Sequence, residues 1–367
     1  MATNKNQHFV PRCYLRPFTV DGKNTAINLF NIDRERFIPN APVKNQCSRD
    51  YFYGQDDQLE QAIQALEGAY ATTSKEVLAN IGQEPTDEQK DILRMFWLFQ
   101  YLRTEAAAKR SLDSSSAMID SVEAAHLGYK MELKEAVRIA MKIFATAMHK
   151  VHDLKVCLIH NKSKTPFITS DDPAILTNRW YLLNPQRAGL SFGFERAGTL
   201  ALLPLSPEVY FAAYDGDVYS LPLKNGWLKT KSDSDVDSLN QHQYLNCRAN
   251  IFIKALEHSQ RISEGFKQVV DRRIPCRHLI THAVFDKEID GHKRFVVVDA
   301  ETAKKHEESI IHTQSVHPQP KSWPMFLGWR NGGTVYTNGT GVGYVRKAIA
   351  DGHHSGPMFY KEKTFNR

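Results

Sequence analysis

A short polar stretch near the N-terminus contains residue types that can bind an anion and move a proton. It reads Asn6-Gln7-His8-Phe9-Val10-Pro11-Arg12. In an extended conformation, His8 and Arg12 lie on the same face of the chain. An arginine binds phosphate through two N–H groups, and a histidine transfers protons near neutral pH. The stretch therefore predicts phosphate chemistry, and a histidine that only satisfies a local hydrogen bond is the alternative.

Two glutamates share one face of a predicted helix that begins near Asp57. Glu60 and Glu67 are seven residues apart, which stacks them on the same side of the helix. Paired carboxylates can hold a divalent metal, or they can neutralise arginines from another segment. The alternative is that both acids lie at the solvent border of an apolar stripe.

A glutamine and an arginine interrupt an otherwise apolar and aromatic helix. Gln100 and Arg103 are neighbours on the surface of this helix, at positions i and i+3. Buried polar groups are costly unless they are paired. We therefore expect a buried network, structural or functional, that joins this pair to Glu60 or Glu67.

A predicted strand ends in two hydroxyl groups and two carboxylates. The run is Thr169-Ser170-Asp171-Asp172, and Pro173 follows it. Adjacent acids at a strand end can place metal ligands or a general base at the edge of a sheet. They also make ordinary turns. Because the run is more polar than a turn requires, we favour a functional role.

The elements that must position these residues change in type along the chain. Residues 1–56 are predicted to form short strands in a basic arm, and residues 57–152 a helical block, because their apolar residues recur at helical spacing. Residues 153–300 are predicted to be rich in strands, with one long helix at Asp233–Ala255, and to complete one core with the N-terminus. Residues 301–367 are predicted to be a polar extension. The expected fold is α+β, with the helical block packed on a mixed or antiparallel sheet.

The composition is that of an ordinary globular protein. Of 367 residues, 42% are hydrophobic and 24% are charged, which excludes a disordered or collagen-like chain. The apolar runs are too short for a membrane span, so we expect no membrane association and no secretion. The five cysteines form no CxxC pair, which favours free thiols in a reducing cytoplasm. A net charge of +6 permits a nucleic acid or a nucleotide as partner without requiring one.

Four motifs together resemble the bacterial family catalogued as domain of unknown function 4238. They are Asn6–Arg12 with Tyr14-Leu15 and Phe18, the Cys47 segment that ends in Tyr51-Phe52-Tyr53-Gly54, the two helices with Glu60, Glu67, Gln100 and Arg103, and Phe167-Ile168-Thr169-Ser170-Asp171-Asp172-Pro173. The resemblance covers about residues 4–255, and this chain has Asp172 where the family usually has Asn. It implies a bacterial setting, such as phage defence or a toxin-like role, and no established activity.

The resemblance also implies that these motifs form one site. From the residues in it we predict a hydrolase that acts on a phosphate-containing substrate, above all a nuclease. The predicted catalytic residues are His8 as general acid or base, Arg12 and Arg103 as phosphate-binding groups, and Asp171 with Glu60 to orient water. The predicted metal ligands for Mg²⁺ or Mn²⁺ are Glu67, Asp171 and Asp172, and the predicted substrate-binding residues are Gln7, Tyr53, Gln100 and Ser170.

Two other functions stay open at this point. One is a sensor or binding module without catalytic activity, in which the same residues form a buried polar network. The other is a nucleotide glycosidase or transferase, which needs a carboxylate and an arginine but no metal. An open cleft that contains His8 and Asp171 would favour an enzyme, and the same residues fully packed and paired would favour the network.

Overall fold

The helices lie mainly in the N-terminal half of the chain. The structure is a computed structural model and describes residues 5–121, 130–184, 191–289, 291–340, 342–352 and 357–365. The helices in these ranges are α1 (Arg12–Leu15), α2 (Asp57–Ala79), α3 (Asp87–Arg103), α4 (Glu105–Ser121), α5 (Leu133–Ala147), α6 (Arg179–Leu182), α7 (Asp233–Asn246), α8 (Ser259–Lys267), α9 (Ala300–Ala303) and α10 (Lys347–Asp351). None of them is both long enough and apolar enough to cross a membrane. The predicted helical block corresponds to α2–α5.

The long helices begin where side chains can satisfy their first backbone N–H groups. The Asp56 carboxylate accepts hydrogen bonds from the backbone N–H groups of Gln58 and Leu59 at the start of α2. Thr86 and Gln89 form a reciprocal capping box at the start of α3. These local interactions fix the first turns of the two helices that carry Glu60, Glu67, Gln100 and Arg103.

The strands form six small sheets in the described residues. The strands are β1 (Asn6–His8), β2 (Ala26–Asn31), β3 (Arg36–Pro42), β4 (Ser48–Asp50), β5 (Lys155–Asn161), β6 (Thr169–Ser170), β7 (Ile175–Thr177), β8 (Leu200–Pro204), β9 (Val209–Tyr214), β10 (Tyr219–Ser220), β11 (Trp227–Thr230), β12 (Asn250–Ile253), β13 (His278–Ile289), β14 (His292–Val298), β15 (Ser309–Ser315), β16 (Gly328–Trp329), β17 (Thr334–Thr337) and β18 (Tyr360–Lys363). The largest sheet has the order β11-β5-β9-β8-β7. It is mixed, because β11 runs parallel to β5 and the other neighbours are antiparallel.

The helical block packs against this mixed sheet. Trp97 in α3 is fully buried, and its indole N–H donates a hydrogen bond of 3.1 Å to the carbonyl of Ile175 in β7. Tyr14 in α1 donates a hydrogen bond of 2.8 Å to the carbonyl of Pro204 in β8. Helices and strands therefore share one core, which confirms the predicted α+β fold.

The N-terminal and C-terminal segments both pair with the middle of the chain. β2 pairs with β12, and β12 pairs with β6, in the four-stranded sheet β3-β2-β12-β6. The region predicted as a polar extension contributes β15 to the sheet β14-β13-β15 and β16 to a pair with β10. Long-range pairing thus joins residues that are far apart in the sequence.

The predicted long helix over Asp233–Ala255 is partly wrong. The helix ends at Asn246, and residues Asn250–Ile253 form β12 instead. β12 lies between β2 and β6, where the β-branched side chains of Ile251 and Ile253 are buried. Pairing with two strands stabilises residues Asn250–Ile253 as a strand and not as a continuation of α7.

Candidate functional site

The N-terminal arm lies across the end of α3. β1 pairs with β4, so that His8 is opposite Ser48. The Phe9 carbonyl accepts a hydrogen bond of 2.8 Å from the Gln100 side chain, and the His8 carbonyl accepts one of 2.5 Å from the Arg103 guanidinium. Side chains of α3 therefore fix the backbone of the arm and with it the position of His8.

An open cleft of about 360 Å³ lies between this arm and α2. Seven of the residues predicted for the site line it together, and five further residues complete the lining. The full set is Gln7, His8, Arg12, Cys13, Tyr53, Glu60, Ile63, Gln64, Glu67, Gly68, Ala71 and Arg103.

Arg103 is the centre of a buried network beside the cleft. Its guanidinium donates to the Tyr53 hydroxyl at 2.6 Å and to the Glu67 carboxylate at 2.7 Å, besides the His8 carbonyl. The guanidinium also lies 4.3 Å from the centre of the Phe99 ring. These contacts confirm the predicted network between α3 and the acids of α2.

The role predicted for Arg103, to bind phosphate, does not fit this position. The Arg103 side chain has 0% exposure, and its three nitrogens all have protein partners. A substrate phosphate would have to displace Glu67 or Tyr53 to reach it. Arg103 therefore positions the arm and Glu67. Gln100 has a similar positioning role, because it is fully buried and its amide donates a hydrogen bond to the Phe9 carbonyl.

His8 has an imidazole nitrogen without a partner among the described residues. Its Nε2 is buried and accepts or donates no hydrogen bond there. Burial, and then the nearby Arg12 guanidinium, lower the pKa of the His8 imidazole below its ordinary value. His8 is therefore neutral at pH 7. A buried nitrogen without a partner indicates that water or a ligand group completes its hydrogen bonding.

Within the described part of the chain, one cation and one carboxylate of the cleft are outside ion pairs. The Arg12 side chain is exposed, and its only hydrogen bond to a described residue is a long one of 3.5 Å to the Asn24 carbonyl. Glu60 accepts a hydrogen bond of 3.3 Å from Gln64, whereas Glu67 is bound by Arg103. Arg12 and Glu60 are thus the charged groups that a ligand can engage.

Gln7 and Tyr53 line the cleft but also hold its wall together. The Gln7 side chain accepts from the backbone N–H of Tyr53 at 2.7 Å and donates to the Gly54 carbonyl at 3.1 Å. The Tyr53 hydroxyl accepts from Arg103 and donates to the His8 carbonyl at 3.3 Å. Burial raises the pKa of Tyr53 to about 12, so its hydroxyl stays protonated at neutral pH.

Asp171 lies outside this cleft and anchors a loop instead. Its carboxylate accepts backbone N–H groups from Arg248, Ala249 and Asn250 at 2.8, 2.8 and 3.0 Å. Burial raises the pKa of Asp171 to about 6, while the three N–H groups act in the opposite direction, so it is ionised at pH 7. Asp171 therefore does not line the cleft together with His8, with which it was predicted to act.

Asp172 and Ser170 are also paired within the fold. Asp172 has 0% exposure and accepts from the Thr104 hydroxyl at 2.6 Å and from Arg110 at 2.5 Å. The Ser170 hydroxyl donates to Gln243 at 2.8 Å. Neither residue lines the cleft, so the structure does not bring Asp171 or Asp172 to Glu67 as a metal site. In the described ranges no group of three or more His, Cys, Asp or Glu residues is arranged to hold a metal ion.

Asp171 is expected to contribute to stability. Replacing it with asparagine, Asp171→Asn, should lower the free energy of unfolding by about 1–3 kcal/mol, because an amide cannot accept three N–H groups. Chemical denaturation at pH 7 measures this value. Asp237→Asn is the control, because Asp237 lies at an exposed ion pair with Arg261. Equal effects of the two substitutions would contradict the loop-anchoring role.

Several residues that line the cleft were not predicted from the sequence. Gln64, Gly68 and Ala71 follow Glu60 on α2, and their spacing of three and four residues could have placed them on the same face. Gly68 and Ala71 leave room beside the arm. Cys13 also lines the cleft, but burial raises its pKa to about 12, so it is a thiol and no nucleophile at neutral pH.

Comparison with known proteins gives a family and no activity. No curated protein and no solved structure matches the chain. The model of one family, described as a protein of unknown function (DUF4238), matches residues 6–255. This range includes every residue that lines the cleft. The chain belongs to the DUF4238 family.

Proposed function

We propose that the protein is a hydrolase that acts on phosphate-containing substrates, and specifically a nuclease. The observation that carries the proposal is the cleft in which Arg12, a free cation, lies beside His8, whose Nε2 has no partner in the described residues. A guanidinium binds a phosphodiester and a neutral imidazole accepts a proton. Together, the two groups supply phosphate binding and a general base, which the cleavage of a phosphate ester requires.

The reaction assigns one role to each free group of the cleft. Arg12 binds the phosphate, and Glu60 orients the attacking water. His8 takes a proton from this water as its oxygen bonds to phosphorus. The bond between phosphorus and the leaving oxygen then breaks, and His8 returns the proton to that oxygen. Arg103, Gln100 and Tyr53 position the arm and take no proton.

No step of this mechanism uses a metal. Glu60 and Glu67 are the carboxylates that Mg²⁺ or Mn²⁺ would need, but Glu67 is already bound to the buried Arg103. We do not propose Asp171 as a third metal ligand, because its carboxylate accepts the backbone N–H groups of residues 248–250. Cleavage is therefore proposed to continue when divalent ions are removed.

Nucleic acid fits the cleft better than a small neutral substrate. One wall of the cleft is formed by Gln7, His8, Arg12, Cys13 and Tyr53. The segment 1–54 to which they belong contains eight Lys and Arg residues and four Asp and Glu residues. Such a basic surface attracts a polyanion. The five cysteines are all free thiols, which is consistent with a cytoplasmic location and a bacterial defence role.

A nucleotide glycosidase is the second candidate, because Glu60 and Arg12 are free in the same cleft. A glycosidase releases a free base and leaves the phosphodiester intact, whereas a nuclease leaves the base attached. Chromatography of the products from RNA, DNA and nucleotides distinguishes the two reactions. His8 is required only by the nuclease mechanism.

The pH dependence of cleavage should show the protonation of His8. Because only neutral His8 can accept a proton, kcat/KM should be constant at neutral pH and fall as the pH decreases. The inflection should lie below 6.5, the ordinary pKa of histidine, because burial and Arg12 lower the His8 pKa. Initial rates measured in assay buffers from about pH 4.5 to about pH 8, in steps of roughly half a pH unit, give this profile. A rate that increases towards acidic pH would contradict the role of His8 as a base.

A further inference from the structure

A second cavity, of about 430 Å³, lies between α4, α5 and the strands β13 and β15. None of its lining residues belongs to the cleft at His8. Its polar residues include Arg110, Ser111, Ser114, Asn246, Arg277 and His278.

Two arginines line this cavity, Arg110 and Arg277. Arg110 binds Asp172 at 2.5 Å. Arg277 donates to the Leu245 carbonyl at 2.8 Å. Among the ion pairs of the described residues, Arg277 has no acidic partner. Arg110, Asp172 and Arg277 together therefore carry one positive charge more than negative ones.

The Arg277 guanidinium, which carries this excess charge, is partly shielded from water. Arg277 is half-buried, and burial followed by the nearby Arg110 lowers its pKa to about 10. Half-buried cations without an acidic partner are costly, because carbonyl groups compensate only part of the lost hydration. An anion in the cavity would offset this cost.

The opposite wall of the cavity is apolar. Met118 on α4 and Ile139 and Ile143 on α5 line it, and their side chains are 43%, 36% and 42% exposed. Ser114 lies on α4 between the apolar wall and Arg110 and offers a hydroxyl donor. The cavity thus combines a cationic end with an apolar surface.

We propose that this cavity binds a phosphate monoester with an apolar or aromatic organic part, whose phosphate lies between Arg110 and Arg277. A phosphate monoester carries a charge of about −1.5 to −2 at pH 7, so it is attracted by the excess positive charge at Arg277. Arg277 binds the phosphate oxygens, the hydroxyl of Ser114 donates to them, and the organic part covers the apolar wall. The proposal is independent of the activity of the His8 cleft.

Calorimetric titration with adenosine monophosphate, inorganic phosphate and adenosine tests the proposal. Adenosine monophosphate should bind most tightly, inorganic phosphate more weakly, and neutral adenosine not measurably. Arg277→Gln should weaken the binding of adenosine monophosphate at least about tenfold, because it removes a charged donor. Arg261→Gln, at an exposed ion pair with Asp237, should leave it unchanged.

Two further variants separate the cavity from the cleft and from misfolding. Ser114→Asp places a negative charge in the cavity from the surface of α4 and should weaken binding about as much as Arg277→Gln. Arg12→Gln alters only the His8 cleft, so the binding of adenosine monophosphate that depends on Arg277 should persist in this variant. Failure of the wild type to bind either phosphate compound would overturn the proposal. So would equal binding by the wild type, Arg277→Gln and Ser114→Asp, or loss of binding in Arg12→Gln alone.

Discussion

Replacing Arg103 with methionine, Arg103→Met, is expected to lower the free energy of unfolding by about 3–5 kcal/mol. The substitution keeps much of the side-chain volume but removes the guanidinium that joins Tyr53, Glu67 and the His8 carbonyl. Glu67 is only 25% exposed and would lose its cation, and the His8 carbonyl would lose its donor. Urea denaturation monitored by tryptophan fluorescence measures the change.

The control for this prediction is an arginine in the same cleft. Arg12 is exposed and has no acidic partner among the ion pairs of the described residues, so Arg12→Met should change the free energy of unfolding by no more than about 0.5 kcal/mol. If Arg103→Met is as stable as Arg12→Met, the buried network does not hold the arm. The Arg103 network would then not explain the positions of His8 and Glu67.

Replacing His8 with glutamine, His8→Gln, is expected to lower kcat/KM for nucleic-acid cleavage by about 10²–10⁴-fold. Glutamine retains a polar side chain but cannot take and return a proton at neutral pH. The free energy of unfolding should change by less than about 1 kcal/mol, because Nε2 of His8 makes no hydrogen bond within the described structure and the glutamine amide can replace the hydrogen bond of His8 to the Val43 backbone. Initial rates and urea denaturation of the same preparation give both numbers.

Asp171→Asn is the matched control for His8→Gln, since both residues were predicted as catalytic from sequence. It should lose stability and retain full activity per folded molecule, because Asp171 anchors a loop and does not line the cleft. The reverse pattern, an inactive Asp171→Asn and an active His8→Gln, would indicate that the catalytic centre lies at the end of β6.

Local patterns in the sequence were sufficient for the fold class and for half of the cleft. The capping box of Thr86 and Gln89 depends on residues three positions apart, and the sequence shows it directly. The same is true of Glu60 and Glu67, whose helical spacing places both at the cleft. The need to pair a polar group in an apolar helix predicted that Arg103 binds Glu60 or Glu67, and its partner is Glu67.

The remaining features depend on contacts between distant segments. The polarity of Asp171 suggested a site, but the backbone groups that explain it lie 77 to 79 residues further along the chain. β12 was predicted as the end of a helix, and it is a strand between β2 and β6. Arg277 was not singled out, since only the fold brings it close to Arg110. Tertiary pairing, which no local spacing encodes, decides each of these cases.

The most direct test of the account is the cleavage of end-labelled RNA and DNA by wild type and His8→Gln in the presence of EDTA. We predict that the wild type cuts the phosphodiester chain without added metal and releases no free base. We also predict that His8→Gln, equally stable, loses at least about 100-fold of the rate. Equal cleavage by the two proteins, or no cleavage by the wild type with or without Mg²⁺ and Mn²⁺, would contradict the assignment of the His8 cleft as a nuclease site.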